Sequence, residues 1–161
     1  MLIEHILHRK GAEVETIPAD ALVADAVARL RDRNIGALVV TAPSGEAGGA
    51  PPGEAQGAPA IAGILSERDV VRALADAGPD PAALQQLPVS ALMSTELATC
   101  DPRTTVDDLM RIMTERRIRH IPVLDEGRLS GIVSIGDVVK TRIDELQTET
   151  ETLHEYLSSG R

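Results

Sequence analysis

The residues with chemistry to offer come in two matched sets. Ser66 and Asp69 close the stretch Gly63-Ile-Leu-Ser-Glu-Arg-Asp69, and Ser134 and Asp137 close Gly131-Ile-Val-Ser-Ile-Gly-Asp137. Each runs on into Val-Val and a basic residue: Val70, Val71 and Arg72, then Val138, Val139 and Lys140. A glycine, aliphatic residues, Ser and then Asp three positions later read as a strand entering a helix. At such a start the hydroxyl and carboxylate satisfy orphan backbone N–H groups, so each set is first a capping box. So short a motif is common by chance. Its weight here comes from the flanking sequence, which repeats with it.

Other reactive residues are few. Cys100 stands alone, so it forms no internal disulfide and fits a reducing compartment; with no metal-like spacing near it, it reads as a small buried residue. His5 and His8 lie one helical turn apart but lack an acidic or Cys partner in register, so no metal site is expected. Catalysis needs a nucleophile, acid or base in a pocket. No Ser-His or Cys-His arrangement is visible, and the chain is not expected to be an enzyme.

Composition narrows the classes further. The chain has one Tyr and neither Phe nor Trp, so its core must be built from Val, Ile, Leu, Ala and Met. Single-stranded nucleic acid is bound on aromatic platforms, of which Tyr156 is the sole candidate. A net charge of −9 argues against nucleic-acid backbones and anionic membrane surfaces. No apolar run approaches the roughly 20 residues of a membrane span, and no signal-peptide pattern opens the chain, so a cytoplasmic location is expected.

The positioning elements repeat as well. Val23, Ala26, Val27 and Leu30 form the stripe of an amphipathic helix that stops near Asn34, before a buried strand from Ile35 to Val40. Shifted by 83 residues, Val106, Leu109, Met110 and Met113 repeat the stripe, and Ile118 to Val123 repeat the strand. Thr105 and Asp108 predict a further capping box. A tight turn at Asp125-Glu-Gly-Arg128 then leads to Gly131, whose counterpart Gly63 lies at a shift of 68. The two shifts differ by 15 residues, an insertion that falls in the Pro- and Gly-rich stretch 42–60 and reads as a disordered hairpin tip. Met1 to His8 predicts a short amphipathic helix, echoed by Val89 to Met93 at a shift of 86. The helix after Asp69 is expected to stop at Ala77-Gly78-Pro79. The last helix runs to about Ser158 with Val139, Ile143, Leu146, Thr150, Leu153 and Leu157 in a heptad-like seam. Such a seam packs either along the N-terminal helix of the same chain or against a second chain, and its extra turns favour the second chain.

With both motifs and both helix–strand–strand–helix units in place, the chain resembles a tandem CBS-domain pair, or Bateman module, over essentially its whole length. The resemblance implies a mixed α/β (α+β) fold of two pseudo-symmetric βαββα repeats with flanking short helices and a long C-terminal helix. The expected divisions are 1–77 for the first repeat with the N-terminal helix, 78–96 for a linker and short helix, and 97–161 for the second repeat. The family pattern implies two clefts between the repeats that bind adenosine-containing ligands. It also implies pairing into dimers, and nothing in the chain is left over as an effector domain.

Carried onto this chain, the resemblance assigns Asp69 and Asp137 to ribose hydroxyls and Ser66 and Ser134 to ribose or phosphate. Thr16 and Thr99 match positions near the base. Gly36, Ala37 and Leu38, and His120, Ile121 and Pro122, would frame adenine with backbone groups and aliphatic walls. Phosphates call for Arg68, Arg119 and His120, with Gly136 letting a phosphate approach the helix start. Arg116 and Arg117 add charge beside the second strand, so the two sites are expected to be unequal, the second the stronger. The implied function is a regulatory, nucleotide-sensing module that signals to an unidentified effector protein. The adenine nucleotide is AMP foremost, then ADP, ATP or NAD(H), with S-adenosylmethionine also in the family's range. The competing reading is a dimeric protein-interaction scaffold whose Ser and Asp only cap helices.

Overall fold

The computed structural model describes residues 1–11, 13–43, 60–77 and 81–159. In chain order the elements are α1 (Ile3–Lys10), β1 (Thr16–Pro18), α2 (Val23–Arg33), β2 (Ala37–Thr41), β3 (Ile61–Ser66) and α3 (Glu67–Asp76). There follow α4 (Pro81–Gln85), a 3-10 turn at Val89–Ala91, α5 (Val106–Arg116), β4 (His120–Asp125), β5 (Arg128–Ser134) and α6 (Ile135–Ser159). Most of the expected hairpin tip at 42–60, and the Gly78-Pro79 helix stop, lie outside the described residues. At the base of that hairpin Ala42 donates its N–H to the Ala60 carbonyl at 2.9 Å. Among the described residues no helix is long and apolar enough to cross a membrane.

The chain divides into two compact units. The first comprises Glu13–Ala98 with Glu126–Ser130. Its sheet has the order β1-β2-β3, with β1 parallel and β3 antiparallel to β2. Ile17, Ala26, Leu30, Leu38, Val40 and Leu65 fill its core. The α2 stripe is narrower than its sequence pattern: Val23, Ala26 and Leu30 are buried, whereas Val27 is exposed. Asn34 ends α2 in the left-handed conformation (φ 52°), which a short polar side chain tolerates. Arg117 ends α5 in the same way (φ 53°).

The second unit comprises Met1–Ala12, Thr99–Asp125 and Gly131–Arg161. Its core joins Ile3, Ile6 and Leu7 of α1 to Leu109 and Met113 of α5, Ile121 and Val123 of β4, and Val133. The turn between β4 and β5, whose residues group with the first unit, carries left-handed Glu126 (φ 48°) and Gly127 (φ 78°), the backbone a two-residue hairpin needs. Thr105 caps α5 by accepting the Asp108 N–H at 3.1 Å.

Grouping by position in the chain sets α1 beside the first repeat, but its contacts lie with the second. The N–H groups of Ile3 and Glu4 bond the carbonyls of Thr104 and Pro102 at 3.0 and 2.9 Å. Reciprocally, Val89 and Ser90 donate to Ala21 and Ala19 at 2.8 and 2.9 Å in the first unit. The two echoing segments therefore close the cores of opposite repeats. Sequence reasoning did not foresee α4 in the linker, where Leu84 is buried.

The repeated glycines follow from this arrangement. A Cβ built on Gly63 would lie 2.7 Å from the Ser94 carbonyl oxygen and 2.9 Å from the Met93 sulfur. On Gly131 it would lie 2.5 Å from a Leu7 methyl. In each unit a crossing segment rests directly on the strand, where only a hydrogen fits.

Candidate functional site

In each unit three elements meet at one sheet end. Ala37 pairs with Ser66 across β2 and β3, and the Glu67 N–H reaches the Gly36 carbonyl at 3.0 Å. In the second unit Ile135 donates to the Arg119 carbonyl at 2.8 Å, the same contact one repeat later. The entry segments join alongside: Thr16 pairs in parallel with Val39, and Cys100, next to Thr99, bridges Val123. Thr16, Gly36, Ser66 and Asp69 are thus grouped in one unit, and Thr99, Arg119, Ser134 and Asp137 in the other.

Both motifs form the capping box that their spacing predicts. Asp69 Oδ2 accepts from the Ser66 N–H and hydroxyl at 2.8 and 2.7 Å, and Asp137 Oδ2 accepts from those of Ser134 at 2.8 and 2.8 Å. The serine hydroxyls in turn accept from the Asp69 and Asp137 N–H groups at 3.4 and 3.2 Å. In both boxes the cap converges on one carboxylate oxygen. A carboxylate has acceptor capacity on both, so capping and ligand binding do not compete for Oδ1. Both carboxylates are half-buried at the first turn of a helix, where the dipole favours negative charge.

The two carboxylates differ in one neighbour. Lys10, in the last turn of α1, places Nζ 2.7 Å from Asp137 Oδ2 and 3.2 Å from the Ile132 carbonyl. Partial burial pushes Asp137 upward, but the Lys10 ammonium and the Ser134 N–H and hydroxyl outweigh it, holding the carboxyl below the usual carboxylate range. Among the described residues no ion pair reaches Asp69. Ile64, the counterpart of Ile132, instead gives its carbonyl to the Ser94 N–H at 2.9 Å. Lys10 is the site neighbour that sequence reading missed. It is 127 positions from Asp137, and no motif marks it.

The expected base-framing residues sort by face. Leu38 and Ile121 are fully buried in the two cores, so their side chains form no wall for a ligand. Ala37 and Pro122, also buried, alternate onto the opposite strand faces. Arg119 is exposed beside β4 and His120 is half-buried, while Arg68 and Gly136 are exposed in the first turns of α3 and α6. In the first unit Asp69 borders a hollow of about 460 Å³ floored by Leu84, Leu87, Ala91 and Leu92, with Arg72 and Asp76 also on its lining. Among the described residues no cluster of His, Cys, Asp and Glu suits a metal ion.

Comparison with known proteins places these features in a family. The sequence profile of the CBS domain matches residues 3–76 and 89–144. The chain is 38% identical over 143 residues to the mitochondrial CBS domain-containing protein CBSX3 of Arabidopsis thaliana, spanning 88% of this chain and 62% of that protein. It is 29% identical over 126 residues to the CBS domain-containing protein YhcV of Bacillus subtilis, spanning 78% and 76% of the two. Among solved structures, the CBS-domain containing protein ATU1752 of Agrobacterium tumefaciens superposes with a TM-score of 0.75 at 39% identity, over 88% of this chain and 92% of that one.

Proposed function

We propose that this chain, which belongs to the CBS-domain family, is a regulatory module that binds an adenosine-containing ligand and passes the bound state to a protein partner. Asp69 and Asp137 head its two half-sites, with Ser66 and Ser134 beside them. The observation that carries the reading is the geometry of the caps. Each carboxylate is fixed by donors to Oδ2, so Oδ1 is presented in a set orientation without being required for the fold. A preorganised acceptor of this kind suits a sugar diol, whose hydroxyls need acceptors. Arg119 and His120 in one unit and Arg68 in the other supply donors for phosphates, and AMP is the first candidate, ahead of ADP, ATP and NAD(H). No catalytic step is part of this reading.

We also assign the module to homodimers in the cytoplasm. Support for the dimer comes from α6, whose seam residues Ile143 and Leu153 are 49% and 63% exposed. The α1 helix does not cover them. Cys100 as a free thiol supports a reducing compartment.

The test is a thermal-shift panel of AMP, ADP, ATP, NAD, NADH and S-adenosylmethionine on the wild type, Asp69→Asn, Asp137→Asn and the double variant. Asn keeps one oxygen for the cap but replaces the other with a donor, so the fold survives while the diol acceptor is lost. A ligand at 100 times its Kd adds about 2.7 kcal/mol per site. Stabilisation of the wild type that the double variant loses supports the reading. A folded wild type that no nucleotide stabilises overturns it in favour of a protein-interaction scaffold.

A further inference from the structure

We infer that Lys10 is a ligand-contacting residue of the second half-site, donating a hydrogen bond to a ribose hydroxyl whose neighbour is held by Asp137. The inference rests on the nucleotide reading above and names a residue outside both motifs.

A count of donors leads to it. A lysine ammonium carries three N–H donors. One goes to Asp137 Oδ2 at 2.7 Å and one to the Ile132 carbonyl at 3.2 Å. Among the described residues the third has no acceptor, and the side chain is 37% exposed. A hydroxyl both donates and accepts. A diol that gives its hydrogens to Asp137 presents lone pairs within reach of an ammonium already touching that carboxylate. The pair therefore reads a sugar edge in both senses.

Lys10 is also held in place. Ile3, Ile6 and Leu7 anchor α1 in the core, and Arg9 bonds Thr141 at 2.8 Å and Asp144 at 3.1 Å. The contact is a ribose contact rather than a phosphate one because the ammonium charge is matched by Asp137, which leaves a short-range donor and little net field. Among the described residues no ammonium bonds Asp69 of the first half-site. There the Ser94 N–H takes the Ile64 carbonyl, and Asp69 acts as an acceptor alone. The half-sites are therefore unequal by design of α1, and the second discriminates more strongly for an intact diol.

The experiment is calorimetric titration in the Asp69→Asn background, comparing Lys10, Lys10→Met and Arg9→Met. The ligands are adenosine, AMP, ATP and 2′,3′-dideoxy-AMP, with circular dichroism to verify folding. Lys10→Met is expected to weaken adenosine, AMP and ATP by a common factor of about tenfold, as for loss of one charge-assisted hydrogen bond. The dideoxy compound is expected to be insensitive to Lys10→Met. Arg9→Met also removes one charge and two side-chain bonds from the last turn of α1 without touching Asp137, and with Ile3, Ile6 and Leu7 still anchoring the helix it should leave every affinity unchanged. A loss that grows with phosphate number, an equal loss for the dideoxy compound, or an equal loss in Arg9→Met each overturns the inference while leaving the nucleotide reading intact. No measurable binding to the unsubstituted protein overturns both.

Discussion

Replacing Gly63 by Ala should destabilise the protein far more than replacing Gly131 by Ala, although the two occupy the same place in the repeat. A Cβ on Gly63 meets a backbone carbonyl, that of Ser94, at 2.7 Å. That carbonyl is not free to retreat, because the Ser94 carbonyl and N–H bond the Ile64 N–H and carbonyl at 3.0 and 2.9 Å. Overpacking of this kind costs about 1–3 kcal/mol, and losing the bridge adds roughly 1 kcal/mol for each hydrogen bond. Neither glycine has a left-handed backbone, so Ala regains about 0.4–1 kcal/mol from the restricted unfolded chain. The net expectation for Gly63→Ala is a loss of about 2–4 kcal/mol. At Gly131 the obstacle is the Leu7 side chain, at 2.5 Å from one methyl and 3.0 Å from the other. A rotamer change or small shift of Leu7 relieves it, so the loss should be about 0–2 kcal/mol. Urea denaturation followed by far-UV circular dichroism measures both. Fluorescence is unsuitable, since the lone Tyr156 lies on the exposed face of α6 and Trp is absent. Equal losses within about half a kcal/mol would refute the argument from a rigid crossing segment.

Three further outcomes are expected. Burial, reinforced by the charge of Asp101, pushes the Cys100 thiol up to about 11, so it should resist a thiol reagent at pH 8 in the folded protein and react on unfolding; rapid native labelling would contradict this. If α6 forms the proposed dimer interface, Leu146→Glu and Leu153→Glu on its seam should weaken self-association roughly 100-fold or more, because each desolvates a charge in place of about 2 kcal/mol of apolar burial; unchanged sedimentation would refute the proposed seam pairing. Asp137 titrates below its usual value when folded, so its stabilisation is complete above the unfolded carboxylate value and is lost as pH falls through the folded one. The stability gap between wild type and Asp137→Asn should accordingly be full near pH 6 and shrink below about pH 4, and a gap constant with pH would exclude the ion pair with Lys10 as its source.

Local features were legible because they are local. The capping boxes at Ser66 and Ser134, and the cap at Thr105, where the Asp108 carboxylate bonds the hydroxyl and not the backbone N–H, depend on groups three residues apart, and the helix ends at Asn34 and Arg117 on the conformation of one residue. The strand–helix order follows from hydrophobic period, and its duplication, at a shift of 83 before the insertion and 68 after it, was enough to mark a CBS pair. Only tertiary structure decided what crosses what. The exchange of α1 and Val89–Ala91 between repeats sets Leu7 on Gly131 and Met93 on Gly63, and it brings Lys10 to Asp137. It also decided that Leu38 and Ile121 face the cores, and that Val27 does not. Caps and periodicity are short-range, so neighbouring residues encode them directly. Which surface closes a core is a long-range choice among similar apolar faces, and Lys10 and Asp137 meet only because that choice has been made.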